Sequence, residues 1–139
     1  MFSLELLSQK LALEEILESN DRSGLYGLKL TSEDALVLIE ARNQALISHG
    51  RIEVGSATIG KIIEAFLDSP YIQQADYVEI LDDLIETFYY MKNEMFEVLS
   101  DDELIELMVK YYNGKSGGSI ELLRDRDLDK VLRHIHNKF

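Results

Sequence analysis

Apolar residues recur three and four positions apart along most of the chain, which is the period of one face of an α-helix. The first such stretch runs from Ser3 to Glu18. Its residues Leu4, Leu7 and Leu11 predict the buried seam of an amphipathic helix of about four turns, and Ile16 widens this face. The cluster of turn-forming residues that follows Glu18 predicts its end.

A second helix is predicted from about Glu33 to Ser48. Thr31 or Ser32 supplies a hydroxyl for its N-cap, and acidic residues follow where the helix dipole favours them. Residues 35–39 are all apolar, so they would point apolar side chains to every side of the helix. We therefore expect its first turns to be buried all round and the helix to be central.

Two short runs between these helices and the next, Leu25–Leu30 and Arg51–Val54, alternate weakly between polar and apolar residues. Alternation with a period of two is typical of strands. A minor two-strand ribbon is therefore an alternative for these residues beside the helical interpretation.

A third helix is predicted to begin at Ser56 and to end at Asp68–Pro70, because the residue before a proline is pushed out of the helical region. The longest helix is predicted from about Gln74 to Leu99. Its seam keeps the four-and-three spacing throughout and comprises Tyr77, Leu81, Leu84, Phe88, Met91, Met95 and Val98. At 1.5 Å per residue such a helix would be about 39 Å long.

Ser100 and Glu103 have the spacing of a capping box, which predicts that a new helix starts there. Glycines in residues 114–119 predict a flexible loop, and residues 120–139 have the apolar positions of a last helical segment. The chain, residues 1–139, is thus predicted to be a single all-α domain, a bundle of five or six helices with one long helix at about 74–99.

Negative charge is concentrated in one third of the chain. Between Ile62 and Val109 there are thirteen acidic residues and one basic residue, Lys92, and this balance equals the formal charge of −12 of all 139 residues. From Lys110 onward seven basic residues face four acidic ones. The simplest consequence is that the tail folds back against the acidic long helix.

Composition narrows the classes of function. The chain has no cysteine, which excludes disulfides, thiolate metal sites and cysteine nucleophiles. It has no basic leader and no apolar run of the roughly 20 residues that a membrane span needs, so we expect a cytoplasmic protein without membrane contact. Direct nucleic-acid binding is disfavoured, since phosphate repels a protein of this charge.

Four stretches, Gly50–Glu53, Ser69–Ile72, Phe88–Glu94 and Ser100–Leu104, have a familiar sequence. Together they resemble a small bacterial family of acidic, helical proteins classed as a domain of unknown function. The resemblance implies a bacterial, cytoplasmic and mainly helical protein. The family has no established activity, so no catalytic or binding residue carries over from it.

The short motifs point to no reaction. Gly114-Lys115-Ser116 matches the end of a phosphate-binding P-loop, but Val109 stands where that motif needs a glycine and a helix replaces the preceding strand. His134 and His136 are two positions apart, a spacing that does not suit chelation from a helix.

Four acidic residues could be imagined as a metal site, but no histidine stands three residues after a glutamate, as a diiron bundle requires. They are Glu79, Asp82, Asp83 and Glu86. A solvated helix face accounts for them, although a magnesium site stays open. No cofactor is predicted.

There are two pairs of adjacent tyrosines, Tyr89-Tyr90 and Tyr111-Tyr112. The two rings of a pair cannot both be wholly buried, because neighbouring helical residues diverge by about 100°. Half-buried core tyrosines are one interpretation of these pairs and a protein interface is the other, since tyrosine is enriched at interfaces.

The sequence favours a non-catalytic interaction or regulatory module that binds another protein or a second copy of itself. The predicted interaction residues are Asp82, Glu86, Tyr90, Asn93 and Glu97. Two alternatives stay open. One is a small-molecule-binding or metal-binding helical protein, which includes an enzyme. The other is an acidic mimic of nucleic acid that binds a basic partner.

Overall fold

The computed structural model describes residues 4–50, 53 and 55–138, and the side chains of the same residues except 4–6. The chain forms one all-α domain, which confirms the predicted fold class. The main helices of the described residues are α1 (Leu4–Glu18), α2 (Ser32–Ser48), α3 (Ala57–Ala65), α4 (Tyr77–Glu94), α5 (Asp101–Asn113) and α6. The last of these, α6, consists of Ile120–Leu122, a π-helical segment Leu123–Leu128, and Asp129–Lys138.

Helix α1 begins and ends within one residue of its prediction, but its predicted face is wrong at Leu7 and Leu11, while the Leu4 side chain lies outside the described residues. Ala12 and Ile16 are buried in the core, whereas Leu7 and Leu11 are 49% and 50% exposed. The helix has apolar residues on all sides, so the spacing of its leucines did not decide which side packs against the rest of the protein.

Helix α2 has the predicted bounds and packs along α4 more extensively than any other pair of described helices. Thr31 is its N-cap: the Thr31 hydroxyl accepts from the Asp34 amide at 3.1 Å, and the Asp34 carboxylate accepts from the Thr31 amide at 2.9 Å. The expectation of burial all round is wrong, since Leu36 and Val37 are exposed.

Residues 25–30, predicted as the first half of an alternative ribbon, contain no strand. Residues 24–26 form a 3₁₀ turn, and side-chain amides bond the backbone groups of Lys29 and Leu30 further on. Asn20 accepts from the Leu30 amide at 2.8 Å and donates to its carbonyl at 2.9 Å. Gln74 does the same for Lys29 at 2.7 and 3.0 Å, so both backbone groups of these two residues are bonded without a paired strand. In the other half, residues 51, 52 and 54 lie outside the described residues.

Helix α3 is shorter than predicted and ends at Ala65, and the Ser56 hydroxyl makes no capping hydrogen bond. Helix α4 is also shorter than predicted. Residues 74–76 form a separate 3₁₀ turn, and the helix itself covers 18 residues, or about 27 Å. All the predicted seam residues are buried except Val98, which lies beyond the helix.

The early end of α4 has a local cause. Phe96 and Glu97 both adopt left-handed backbone conformations, with φ of 53° and 57°. The Glu97 amide donates to the Lys92 carbonyl at 3.1 Å and the Phe96 amide to the Asn93 carbonyl at 3.2 Å. This is the hydrogen-bond pattern of a Schellman stop, in which glycine is the usual left-handed residue.

Helix α5 starts as predicted, since the Ser100 hydroxyl accepts from the Glu103 amide at 3.1 Å and the Glu103 carboxylate accepts from the Ser100 amide at 3.0 Å. The tail does return to α4. Residues 120–122 pack against it, and His136 Nε2 lies 2.6 Å from the Glu94 carbonyl oxygen, to which it donates.

Candidate functional site

The surface of α4 that faces away from the core is a single line of side chains. Its exposed residues repeat at spacings of four and three, and we call them the outer strip: Glu79, Asp83, Glu86, Tyr90 and Asn93. Tyr90 is 42% exposed while the preceding residue Tyr89 is buried, as their angular separation on a helix requires.

The structure places the five predicted interaction residues on two different elements. Glu86, Tyr90 and Asn93 belong to the outer strip, and Asp82 lies partly buried at its edge. Glu97 is exposed but follows the end of α4, because the helix stops at Glu94. The predicted set is therefore four helical residues and one turn residue rather than one continuous helical face.

The turn that follows α4 adds an aromatic ring that the sequence did not reveal. Phe96 is 68% exposed, and its ring centroid lies 5.1 Å from that of His136. Val98 is 47% exposed. The seam spacing continued through Val98 in the sequence and implied burial, and no residue in it signalled that Phe96 would take a left-handed conformation.

The carboxylates of α4 repel one another. Partial burial, and then the charge of Asp83, raise the pKa of Asp82 above its usual value. The pKa of Glu86 is also raised, by partial burial and then by Asp82 and Asp83. Asp82 Oδ1 is shielded from solvent and has no hydrogen-bond partner among the described residues. None of the ion pairs between described residues includes a carboxylate of the outer strip.

Lys92, the one basic residue in the acidic third of the sequence, does not neutralise the outer strip. Its side chain is buried, and its Nζ donates to the Leu99 carbonyl at 2.8 Å and pairs with Asp101 Oδ1 at 2.9 Å. The lysine therefore joins the end of α4 to the start of α5. The positive charge that acts on Glu86 is that of Arg124 of α6, which opposes part of the rise in the Glu86 pKa while its own Nε pairs with Asp125 at 3.0 Å.

The P-loop-like residues 114–116 take part in hydrogen bonds that join their loop to α6. The Ser116 hydroxyl donates to Asp127 Oδ2 at 2.7 Å, and Arg126 Nε donates to Asp127 Oδ1 at 2.9 Å. We call these three residues the Asp127 cluster. Arg126 also donates to the Lys115 carbonyl at 2.8 Å, so the loop at 114–119 is tied to the π-helical segment of α6. The buried Asp127 carboxylate was not singled out from the sequence, where it alternates with arginines like an exposed residue.

An open groove of about 610 Å³ lies between α3 and α5. Its lining residues are Arg22, Gly60, Lys61, Glu64, Ala65, Asp102, Ile105 and Glu106. Arg22 pairs with Glu64, and Lys61 Nζ pairs with Asp102 Oδ1 at 3.0 Å. The cations of this groove are thus engaged with its own carboxylates.

The described residues contain no group of three or more histidines, aspartates or glutamates arranged to hold a metal ion. None of the helices in the described part of the chain is both long and apolar enough to cross a membrane.

Comparison with known proteins identifies the class of the chain. A family model covers residues 15–139, so the chain belongs to the family of unknown function DUF6323. This confirms the resemblance to a family of unknown function. The match begins inside α1 and includes the whole of α4, the turn after it and the Asp127 cluster. The chain matches no curated protein and no solved structure.

Proposed function

We propose that the protein is a non-catalytic protein–protein interaction module that binds through the outer strip of α4 and the turn after it. The observation that carries the proposal is the exposure of Tyr90, Phe96 and Val98 after a line of three carboxylates, Glu79, Asp83 and Glu86, for which the described residues provide no ion-pair partner. Aromatic side chains of this kind are typical of interface centres. A regulatory role would follow from the partner that is bound.

The exposure of Phe96, at one end of the surface, favours a binding site over an ordinary solvated surface. Burying a ring as large as Phe96 is worth about 1.5–3 kcal/mol, and the fold leaves most of this ring in solvent. The backbone of Phe96 and Glu97 is left-handed, which costs about 1–2 kcal/mol per residue for side chains other than glycine. A partner that covers Phe96 would gain the free energy of burying this ring.

Photo-crosslinking tests the proposal. A benzoyl-phenylalanine residue is placed at position 90, 96 or 26 in separate variants and irradiated in the native lysate. Tyr26 is the matched control because it is an exposed tyrosine on a different segment of the chain. We expect the same covalent adduct from positions 90 and 96 and none from position 26.

A surface variant then checks the adduct. The double change Tyr90→Ala, Glu86→Lys should abolish the adduct formed at position 96, while Tyr26→Ala, Glu40→Lys should leave it unchanged. If positions 90 and 96 give no adduct, or give the adducts that position 26 gives, the proposal is wrong.

A further inference from the structure

The partner's chemistry can be read from the two halves of the surface, and the inference rests on the proposed function. In the first half, Glu79, Asp83 and Glu86 stand on successive turns of α4 on its solvent side. Such residues are neighbours on a helix surface, with Cβ atoms about 5–6 Å apart. A ligand that follows this line meets negative charge at every turn.

The second half carries the exposed apolar side chains, although Glu97, between Phe96 and Val98, is exposed as well. Tyr90 lies one turn after Glu86, and Phe96 and Val98 follow at the end of the helix. Lys92 is in the same part of the chain but is buried against α5, so its charge is not displayed beside these rings. Along the chain the surface therefore changes from a line of carboxylates to one with exposed aromatic rings within about three turns.

Arg124 shows what a cation does at this surface. It is close enough to Asp83 and Glu86 for its charge to act on both, and its guanidinium pKa is raised chiefly by Asp125, with Asp83 among the further causes. Its ion pair is with Asp125, on its own helix. The outer strip thus receives the field of an arginine but not its hydrogen bonds.

We propose that the occupant of this surface is a basic amphipathic helical segment of another protein, with lysines or arginines opposite Glu79, Asp83 and Glu86 and an apolar side chain on Phe96. Charge complementarity selects the basic end of the segment, and the exposed aromatic rings fix its direction. Arg124 competes weakly with the partner's cations and so limits the affinity.

A defined probe tests this directly. Fluorescence anisotropy measures the binding of a labelled 16-residue helical peptide with a lysine half and a leucine half. A peptide with glutamates in place of the lysines, and a lysine-glycine peptide of the same charge, serve as comparisons. We expect binding of the first peptide alone, weakened on going from 50 to 200 mM salt, since screening acts on exposed charges.

Matched variants locate the binding site. Glu86→Lys should weaken binding about tenfold or more, whereas Glu106→Lys, the same change on the exposed side of α5, should weaken it less than about threefold. Tyr90→Ala should also weaken binding. Arg124→Ala should strengthen it about two- to fivefold, as expected for loss of one exposed charge, and Arg133→Ala, whose partner is Asp129, should leave it unchanged.

Each other outcome overturns the inference. Equal effects of Glu86→Lys and Glu106→Lys, or equal binding of the lysine-glycine peptide, would mean attraction to net charge alone. A sedimentation experiment that shows dimers lost in Glu86→Lys would make a second copy of the chain the occupant.

The inference and the proposed function can fail separately. Specific adducts at positions 90 and 96 without binding of the amphipathic probe would leave the interaction module standing and remove the basic partner. Absence of both adducts and probe binding would remove both.

Discussion

The outer strip of α4 and the Asp127 cluster both contain carboxylates on helices, but these carboxylates have opposite environments. Asp127 is buried, and hydrogen bonds from Arg126 hold its pKa below the usual value although burial opposes them. The Ser116 hydroxyl adds a further bond. On α4, Asp82 and Glu86 have raised pKa values, because partial burial and like charges act on them together.

The Asp127 carboxylate stabilises the folded state, whereas the carboxylates of Asp82 and Glu86 destabilise it slightly when charged. Removing a bonded carboxylate leaves donors without an acceptor, which costs free energy. Removing a repelled carboxylate relieves the native state. Position in the sequence does not reveal which kind a residue is, since Asp127 belongs to the balanced tail and Glu86 to the acidic third.

The largest expected effect is at Asp127. Asp127→Ala should lower the free energy of unfolding by about 2–3 kcal/mol, because the buried Ser116 hydroxyl loses its acceptor and the tie to Arg126 is broken. Urea denaturation followed by circular dichroism measures the change. Asp125→Ala is the control: this exposed neighbour pairs only at the surface with Arg124 and should cost less than about 0.5 kcal/mol. Equal losses in the two variants would contradict the contrast.

Low pH should reduce the contribution of Asp127 to the free energy of unfolding. A group whose pKa is lowered by folding stabilises the native state above its unfolded pKa, near 3.9 for aspartate, and loses that contribution as the pH falls through its folded pKa. The stability gap between wild type and Asp127→Ala should therefore be full at pH 7 and narrow below about pH 4. A gap that stays constant down to pH 3 would show that the carboxylate charge is not what stabilises the cluster.

The loop tied to the Asp127 cluster is the next test. Gly118 has φ of 81°, and a Cβ there would lie 2.6 Å from the Tyr71 side chain. Gly118→Ala should destabilise the protein by about 2 kcal/mol, from backbone strain and the displacement of Tyr71. Gly117 also has a positive φ but open space around its Cβ, so Gly117→Ala should cost about 1 kcal/mol, from strain alone. Thermal unfolding of both variants would show whether contact with Tyr71 accounts for the difference.

A smaller effect is expected at Lys92, the one basic residue of the acidic third, whose side chain stabilises the turn between α4 and α5. Lys92→Met keeps the volume but leaves the Leu99 carbonyl without its donor, so about 1 kcal/mol should be lost. Lys110→Met, on the exposed side of α5, should have almost no effect. If Lys92→Met instead leaves stability unchanged while binding of a basic probe improves, the lysine acts on the outer strip and not on the turn.

The sequence predicted the helices best where local chemistry decides their ends. Thr31 and Ser100 have acidic residues at the right spacing, so the starts of α2 and α5 follow from two hydrogen bonds each. The core side of α4 was equally predictable, because its seam from Tyr77 to Met95 is regular and its other side is charged.

The errors arose where tertiary contacts overrule local pattern. Leu7 and Leu11 are as apolar as their neighbours, and only packing against other helices selects Ala12 for the core in their place. The end of α4 depends on a left-handed Phe96, for which the sequence offers no glycine as a signal.

The candidate surface was predicted in part for the same reasons. Glu86, Tyr90 and Asn93 follow from helical spacing, whereas the contribution of Phe96 depends on where the helix stops. The burial of Lys92 could not be predicted from spacing, since its partners, Leu99 and Asp101, are reached only after the chain has turned.

The smallest expected effect is at Glu86, where substitution should raise the free energy of unfolding instead of lowering it. Glu86→Gln removes a charge that Asp82 and Asp83 repel, so it should raise the free energy of unfolding at pH 7 by a few tenths of a kcal/mol, roughly the size of other surface substitutions. A group whose pKa is raised by folding stabilises the native state when protonated, and this contribution is lost as the pH rises through the folded pKa. The advantage of Glu86→Gln should therefore be present at pH 7 and disappear near pH 4, measured by urea denaturation at both values. Glu106→Gln, on α5, serves as the control for loss of one negative charge from the whole protein. If that variant gains as much as Glu86→Gln, net charge rather than the crowding of carboxylates on α4 sets the effect, and the outer strip is no different from the remaining acidic surface.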